Sequence, residues 1–581
     1  MFFLSDNNTP LRRRSEVVFW CFAIFMMLLY LGCNALWGLE GRCSEIVREM
    51  LLTGDLFTPQ INGVADTTRL PLSYWVMLPA TILFGLDEFA MRLPAVIAAL
   101  ITLWATRQTA CKLFDEYTAL LSMWILLSTY SFVVWARLAA PDMANTAAVS
   151  CAVVSFLYWH DTPDFKDYFS FYLLLATGSM FKGIPMVAVV ILLILPLFLS
   201  RNQWKIHLNW RHLLALVCGA CAGVIPYSLF CVIDSSDAGS SMQVLWHNHI
   251  LRFIDIRNSG EPIYSYLYNL PRVLLPWSAV FFVGFFIFIK RRKELTTEFI
   301  SLLYGIVLAF LLFSFSGSRA WYYLLPLVPF CAIVSAAALN GFAGSSYAGR
   351  AIVQVMRFIL MMTGSLALAL PIALPLQGMI FNARLPGFVI AAASIAGFAV
   401  LVLMTFDQGE DNIVSRISGL SPRIASLVLG TAVAVTVTFC VVIPGFTEFR
   451  TEKPFLLELR QKLDGIAPEN IFCFGKKADG RLMFYLAPSR PVSYGVNLAE
   501  FFKRTSGTRV AVISENNPGA LKALTECLKD VPDIKMDINK PTIVEKHLAF
   551  EPAKKDKYRA WIFEVPGKLD TVNPQRVGDK K

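Results

Sequence analysis

Six cations stand near the ends of long apolar segments, and any chemistry this chain performs must pass through them. Arg42, Arg69, Arg137, Lys182, Arg252 and Arg319 fall on one side when the apolar segments are threaded in order. The basic runs Arg12-Arg13-Arg14, Arg201/Lys205/Arg211 and Lys290-Arg291-Arg292-Lys293 fall on the other. Lysine and arginine collect in cytoplasmic loops, so that second side is the cytoplasm and the six cations face outward. A lone cation at a span end can snorkel to lipid phosphates. Six on one face point instead to an anionic substrate, because a cation near hydrocarbon is costly without an anion or water. Lys182, at the Lys182-Gly183 break between two short apolar segments, is the strongest phosphate-binding candidate. Three carboxylates could serve beside them: Glu40, Asp66 and Asp142. A base is needed only where the attacking group must lose a proton. Asp142 follows Pro141 at the outer end of an apolar segment, where a helix N-cap is the structural alternative.

These residues need elements to hold them. With 56% apolar and 16% charged residues among 581, the chain is too greasy for a soluble protein. A helix needs about 20 apolar residues to cross a bilayer. Thirteen candidates occur, near 17–37, 88–109, 117–135, 143–160, 168–181, 183–200, 211–234, 268–289, 298–315, 320–341, 352–375, 386–406 and 423–445. No alternation of a membrane barrel is present, so the fold class is an all-α polytopic membrane protein with a C-terminal soluble α/β domain. Residues 1–16 form a cytoplasmic tail and 17–446 the transmembrane domain, with a long periplasmic first loop over 38–87. Within that loop Ile46, Val47, Met50 and Leu51 share one helical face, and Glu45, Arg48 and Glu49 the other. This pattern predicts a helix lying at the water–lipid boundary. Residues 447–581 alternate short apolar runs with helical stretches, which predicts a small periplasmic α/β domain with a disordered end.

Other classes recede on the same reading. Most of the twelve cysteines lie inside apolar segments as packing residues. Cys473 and Cys527 lie in the soluble tail, where a bridge is open but no spacing rule supports it. The net charge of +10 is modest, and with no basic stripe or aromatic platform nucleic acid is not a partner. Transporters of this size tend to show paired repeats with helices broken at mid-membrane. No internal repeat is evident, which disfavours transport.

Two motifs stand early in the chain: Leu39-Glu40-Gly41-Arg42-Cys43-Ser44-Glu45-Ile46-Val47-Arg48-Glu49-Met50-Leu51, and Thr68-Arg69-Leu70-Pro71-Leu72-Ser73-Tyr74-Trp75. With the segments that follow them in collinear order over residues 20–330, they resemble the lipid-carrier-dependent glycosyltransferases typified by 4-amino-4-deoxy-L-arabinose lipid A transferase, which also resemble protein O-mannosyltransferases. In that family the first motif has the form D-E-x-R-Y-A-E-I-x-R-E-M-L and the second E-K-P-P-L-x-Y-W. Pro141-Asp142 resembles the second acidic motif, and Lys182-Gly183 a T-K-G turn. His249-Ile250-Leu251-Arg252-Phe253 resembles H-I-x-R-F, followed by Tyr266. Ser316 to Pro326, with Arg319 and Tyr323, resembles S-x-x-K-x-x-x-Y-x-L-P.

The resemblance implies a GT-C-type fold in the bacterial inner membrane with its active site facing the periplasm. It implies an inverting transferase moving a sugar, such as 4-amino-4-deoxy-L-arabinose, from undecaprenyl phosphate to a membrane lipid or glycan acceptor such as a lipid A phosphate. Asp142 and Glu40 are then the catalytic candidates. Arg69, Lys182, Arg319, Tyr323, Arg137, Arg252, Tyr74, Tyr266 and Arg42 are the substrate- and phosphate-binding candidates. A divalent metal is a candidate cofactor, with His249 as its ligand. Leu39 replaces the family's leading aspartate, Thr68 its glutamate and Arg69 its lysine. These departures keep two alternatives open: a protein or glycan O-glycosyltransferase, and a non-catalytic relative that binds polyprenyl phosphate.

Overall fold

A computed structural model of the chain describes residues 9–66, 69–233 except 184, 262–369 except 318 and 346, 371, 387–405, 413–444, 451–475, 479–544 except 516, 530, 532, 533 and 535, and 558–566. It divides into two compact units. The first joins Met1–Cys33, Thr67–Leu374 and Pro386–Pro444; the second joins Asn34–Asp66, Pro375–Leu385 and Gly445–Lys581.

Each of the thirteen apolar segments contains helix among its described residues, but several are broken or end early, the first stopping at Leu28. In chain order the helices are α1 (Thr9–Leu28), α2 (Leu39–Thr53, in the second unit), α3 (Leu72–Trp75), α4 (Leu78–Phe84), α5 (Glu88–Leu113), α6 (Glu116–Leu127), α7 (Tyr130–Ala136), α8 (Asp142–Trp159), α9 (Phe165–Lys182), α10 (Pro185–Leu199) and α11 (Trp210–Ile233). They are followed by α12 (Ser265–Val273), α13 (Ser278–Lys290), α14 (Thr297–Ser314), a 3₁₀ turn at Trp321–Leu327, and α15 (Val328–Ser345). Among the described residues, six helical stretches are long and apolar enough to cross a membrane, including Glu88–Leu113, Thr297–Ser314 and Trp321–Gly341. Two further pairs pass together but are bent, α6–α7 by 68° and α12–α13 by 110°.

Side chains that leave the helical ladder make these bends. Ser128 and Thr129 donate back to the carbonyls of Trp124 and Ile125, each at 2.7 Å. The Tyr130 N–H that the bend releases donates to Leu275 O at 2.8 Å, and Trp277 Nε1 donates to Ser128 Oγ at 3.0 Å. The two breaks therefore satisfy each other, as backbone in lipid must. Where helices cross closely, glycine permits it: a Cβ on Gly305 of α14 would meet the Leu193 backbone of α10 at 2.5 Å. The core between helices is aromatic and aliphatic, with Trp124, Phe132 and Trp277 fully buried.

The second unit carries a five-stranded sheet in the order β4-β3-β5-β7-β6. Its strands are β3 (Ile471–Phe474), β4 (Ser493–Gly495), β5 (Arg509–Glu515), β6 (Ile543–Val544) and β7 (Tyr558–Glu564). β3, β4 and β5 run parallel, while β7 pairs antiparallel with β5 in a register that sets Val512 opposite Trp561. Five successive residues of β5, Val510–Ser514, are buried, as a strand covered on both faces requires. Among the described residues every cysteine is a free thiol, so the Cys473–Cys527 bridge is not formed. Burial in β3 pushes the Cys473 thiol up to about 12.

The first connector does not present the wet polar face expected of it. Residues 34–66 pack with the C-terminal sheet domain, and both faces of α2 are covered. Glu45 is 0% exposed, and Arg48 and Glu49 are 6% exposed, level with the apolar face. Charges so deep must be paired. Arg48 forks onto both Glu45 oxygens at 2.7 and 2.8 Å and donates to Pro488 O at 2.9 Å. Glu49 accepts from the N–H groups of Asn62 and Gly63 in a two-residue hairpin turn between β1 (Gln60–Ile61) and β2 (Val64–Ala65). Asn62 and Gly63 both have positive φ, 54° and 72°, the conformation that an Asn-Gly hairpin favours. Asn62 in turn exchanges two hydrogen bonds with the Val492 backbone, at 2.8 and 2.7 Å. Alternating polar and apolar positions looked like a wet face; in the folded chain they are a salt-bridged seam.

Burial outweighs the Arg48 guanidinium and pushes Glu45 up to about 7. A carboxyl raised in the folded state stabilises fully below its unfolded value, near 4.5, and that stability is lost as pH rises through about 7. Amide exchange over residues 39–53, corrected for intrinsic rates, should therefore show stronger protection at pH 5 than at pH 8. Glu45→Gln should flatten that dependence. Equal protection at both pH values in the parent would refute the assignment.

Candidate active site

The first unit buries one carboxylate among cations. Asp142 is the first residue of α8 and Lys182 the last of α9, and each has the charge its helix end favours. α9 stops there because Gly183 takes φ +85°, open to glycine and strained for other residues. Lys182 Nζ pairs directly with Asp142 Oδ1, and Arg69 Nη1 lies 3.9 Å from Asp142 Oδ2. The Asp142 side chain is 0% exposed, whereas Lys182 and Arg69 are 20% and 22% exposed. Asp142 does not cap its helix, since Pro141 holds the cap position and no side-chain cap bond forms.

Three local devices hold the cluster. Ser73 of α3 donates to Phe181 O at 2.9 Å, tying the segment after Arg69 to the last turn of α9. Tyr74 beside it is 1% exposed. The 3₁₀ turn brings Tyr322 and Tyr323 over the lysine, with ring centres 5.0 and 4.6 Å from Lys182 Nζ. Such cation–π contacts contribute about 0.5–2 kcal/mol as water is excluded. Arg319, just ahead of the turn, is 9% exposed and donates through Nε to Ser314 O at 3.1 Å. Tyr266 is wholly buried, and its hydroxyl donates to Ala320 O at 3.2 Å, anchoring the approach to the turn.

Of the residues singled out from sequence, the structure gathers Asp142, Lys182, Arg69 and Tyr323, with Arg319, Tyr74 and Tyr266 on the elements that frame them. Arg137 is engaged otherwise: its guanidinium donates to the carbonyls of Met26, Met27 and Leu29 at the end of α1. Arg42 pairs with Asp66 in the second unit. Glu40 is there too, 1% exposed, and its Oε2 accepts from the Trp37 N–H at 2.9 Å at the start of α2. Leu39 is 38% exposed in that unit. His249, Arg252 and Thr68 lie outside the described residues. Among the described residues no three His, Cys, Asp or Glu side chains gather as a metal site would need.

Sequence reading missed the aromatic neighbours. Trp135 lies 4.7 Å from the Tyr322 ring and 5.9 Å from Trp321, and the Arg272 guanidinium sits 5.2 Å from the Trp321 ring. Three consecutive aromatics, Trp321-Tyr322-Tyr323, two residues after an arginine were the available signal.

The Arg137 assignment is testable. Arg137→Ala should cost about 2–3 kcal/mol of stability by leaving helix-end carbonyls unmet. Arg137→Lys, which offers a point charge in place of the fork, should recover only part of that loss, read as melting temperature. An unchanged melting temperature for Arg137→Ala would refute the assignment.

Comparison with known proteins supports the same stretch. Residues 68–228, which include Arg69, Asp142 and Lys182, match the family described as dolichyl-phosphate-mannose-protein mannosyltransferase. The chain is 25% identical over 337 residues to an undecaprenyl phosphate-alpha-4-amino-4-deoxy-L-arabinose arabinosyl transferase of Proteus mirabilis, covering 57% of this chain and 60% of that protein. It is 27% identical over 343 residues to the corresponding Edwardsiella ictaluri protein, covering 58% and 61%. The match thus spans about three fifths of these relatives' length. In structure it superposes on ArnT from Cupriavidus metallidurans bound to undecaprenyl phosphate with a TM-score of 0.72 at 19% identity, covering 94% of this chain and 97% of that one. In fold the chain is a GT-C-type polytopic membrane protein, and in sequence it is similar to the polyprenyl-phosphate-dependent glycosyltransferases of the arabinosyl- and protein-mannosyl-transferring kind.

Proposed function

We propose that this protein is an inverting glycosyltransferase that uses a polyprenyl-phosphate-linked sugar as donor, with its site facing the periplasm of a bacterial inner membrane. The observation that carries the reading is the Lys182–Asp142–Arg69 cluster, in which two half-open cations are aligned by a buried carboxylate. Relatives over the same residues are named undecaprenyl-phosphate arabinosyl transferases. As the bond from the anomeric carbon to the carrier phosphate breaks, both bonding electrons leave with the phosphate oxygen. Negative charge grows there, and pre-placed cations stabilise it more than they stabilise the ground state. The acceptor oxygen attacks from the opposite face, which inverts the anomeric carbon.

Asp142 is a positioning residue in this scheme. Its Oδ1 is engaged by Lys182 and its Oδ2 lies 3.9 Å from Arg69; an acceptor that is already anionic, such as a lipid phosphate, needs no base from it. A hydroxyl acceptor on a glycan or protein is the alternative. A non-catalytic carrier-binding protein is the second reading, favoured by the exposed Leu39 at the position where the resembled motif opens with an aspartate.

Lys182→Ala should lower transfer from an undecaprenyl-linked sugar by roughly 10²–10³, the scale of losing one transition-state donor. Lys182→Arg should restore part of it. Asp142→Asn, which loosens both cations, should cost more than Glu40→Gln, whose carboxylate serves its own helix start. The assay is donor consumption by purified protein, with the product identified by mass spectrometry. Parental transfer by Lys182→Ala would remove the phosphate from this cluster. Carrier binding without transfer from any donor would leave the non-catalytic reading.

A further inference from the structure

A cation stabilises a departing phosphate only from a place fixed beforehand, and lysine's four-carbon stem is flexible. Asp142 Oδ1 holds the Lys182 ammonium from one side. From another, the ammonium lies over the rings of Tyr322 and Tyr323, whose centres are 5.0 Å apart and whose planes meet at 83°. In such a corner a slide along one ring carries the charge off the other, so the ammonium is confined in two directions. The corner is only as firm as its own walls. Tyr322 is held by rings outside the ion cluster: Trp135 lies 4.7 Å from it, and Trp321 meets it edge to face at 6.0 Å and 87°.

Trp321 is gripped in turn by the two bent spans. Tyr130, the first residue of α7 beyond the 68° bend, stacks on it with centres 6.2 Å apart and planes 20° apart. Arg272, in the last turn of α12 ahead of the 110° bend, sets its guanidinium 5.2 Å from the same ring. Tyr130 also packs on Phe439, with centres 5.2 Å apart. The bends themselves are joined by the hydrogen bond from the Tyr130 N–H to Leu275 O, so both partners of Trp321 belong to one cross-braced pair. A row of contacts therefore runs from the bends through Trp321 and Tyr322 to the Lys182 ammonium. Resting on the glycosyltransferase reading above, we infer that Trp321 is a positioning residue: clamped by Tyr130 and Arg272, it holds Tyr322 against Lys182 and so keeps that cation where the carrier phosphate meets it. The broken helices are then the frame of the phosphate site as well as turns in the bundle.

A residue that acts through another loses its effect when that other is removed, and a double-mutant cycle reads this directly. The cycle uses full-length protein in lipid nanodiscs, with affinity for bare undecaprenyl phosphate followed by native mass spectrometry and folding by melting temperature. Trp321→Ala should weaken carrier binding by roughly fivefold, the scale of coupling between contacting residues. In the Lys182→Ala background the same change should cost nothing further. Trp321→Phe, which keeps a ring for Tyr130 and Arg272, should recover most of the loss. Arg272→Gln alters an exposed side chain, and should act in the same direction, less strongly, and again only while Lys182 is present. Should Trp321→Ala fail to fold, Trp321→Phe and Arg272→Gln carry the cycle. Equal losses in both backgrounds overturn the inference, since they mean general destabilisation or a direct contact with the carrier. Parental affinity in Trp321→Ala overturns it too, as does carrier binding indifferent to Lys182→Ala. Transfer from the 4-amino-4-deoxy-L-arabinosyl carrier to lipid A is followed on the same samples. Its absence counts against the glycosyltransferase reading, while the binding cycle still decides the role of Trp321.

Discussion

A carboxylate with no access to water can stay in an apolar bundle only if cations meet it, and the Asp142 ion cluster is where this fold satisfies that demand. Everything local follows from the requirement. α8 must begin at Asp142 so that the carboxylate sits at the positive end of its helix. α9 must end at Lys182, which Gly183 enforces. The segment after Arg69 must be fastened, which Ser73 does through Phe181 O. Removing one member of such a group leaves an uncompensated charge worth about 3–5 kcal/mol, so the geometry is fixed far more tightly than a surface ion pair would be.

The second unit solves the same problem with different residues. Glu45, Arg48 and Glu49 are driven inside because α2 is covered on both sides, and each charge is met by a fork, a turn N–H or a carbonyl. A Cβ on Gly41 would collide with the Arg481 side chain, and one on Gly480 would lie 2.9 Å from Arg42 Cα, so two glycines set how closely α2 can approach the helix at Gly480–Leu486. The motif that looked most chemical along the chain, Glu45-Ile46-Val47-Arg48-Glu49-Met50, is in this respect a packing device. Its polar residues hold the connector to the sheet domain.

How much was legible from sequence differs by level. The helical bundle was, because apolar run length is nearly decisive in lipid; the number of spans was not, since among the described residues six stretches, or eight with the bent pairs, are long and apolar enough to cross where thirteen were expected. The clustering of Arg69, Asp142, Lys182 and Tyr323 was legible through resemblance and through the cost of cations near hydrocarbon. The position of α2 was not, since helical periodicity reports which residues share a face and not what covers that face. Arg137 shows the same limit: its charge was visible, but three carbonyls left open where α1 ends are a tertiary fact. The Asn62-Gly63 turn was visible in principle as a hairpin signal between Ile61 and Val64. The aromatic row went unread because tryptophan and tyrosine in a membrane chain are ordinarily core or interface residues, and only their spacing around Lys182 and Arg272 distinguishes them.

A division of labour between charges follows from these placements. Proton transfer needs a group with a free lone pair beside the acceptor; charge stabilisation needs groups that are fixed before the reaction begins. Asp142, paired with Lys182 through Oδ1, meets the second requirement, while its Oδ2, 3.9 Å from Arg69, accepts no hydrogen bond. Leu39 can meet neither, and Glu40 answers the Trp37 N–H at the start of its own helix. Under the proposed glycosyltransferase reading, the work this cluster is built for is charge stabilisation by cations fixed before an anionic leaving group departs. Electrostatic preorganisation of this kind works in proportion to the water it excludes, and the two tyrosine rings over Lys182 provide that exclusion on the side where the ammonium would otherwise be hydrated.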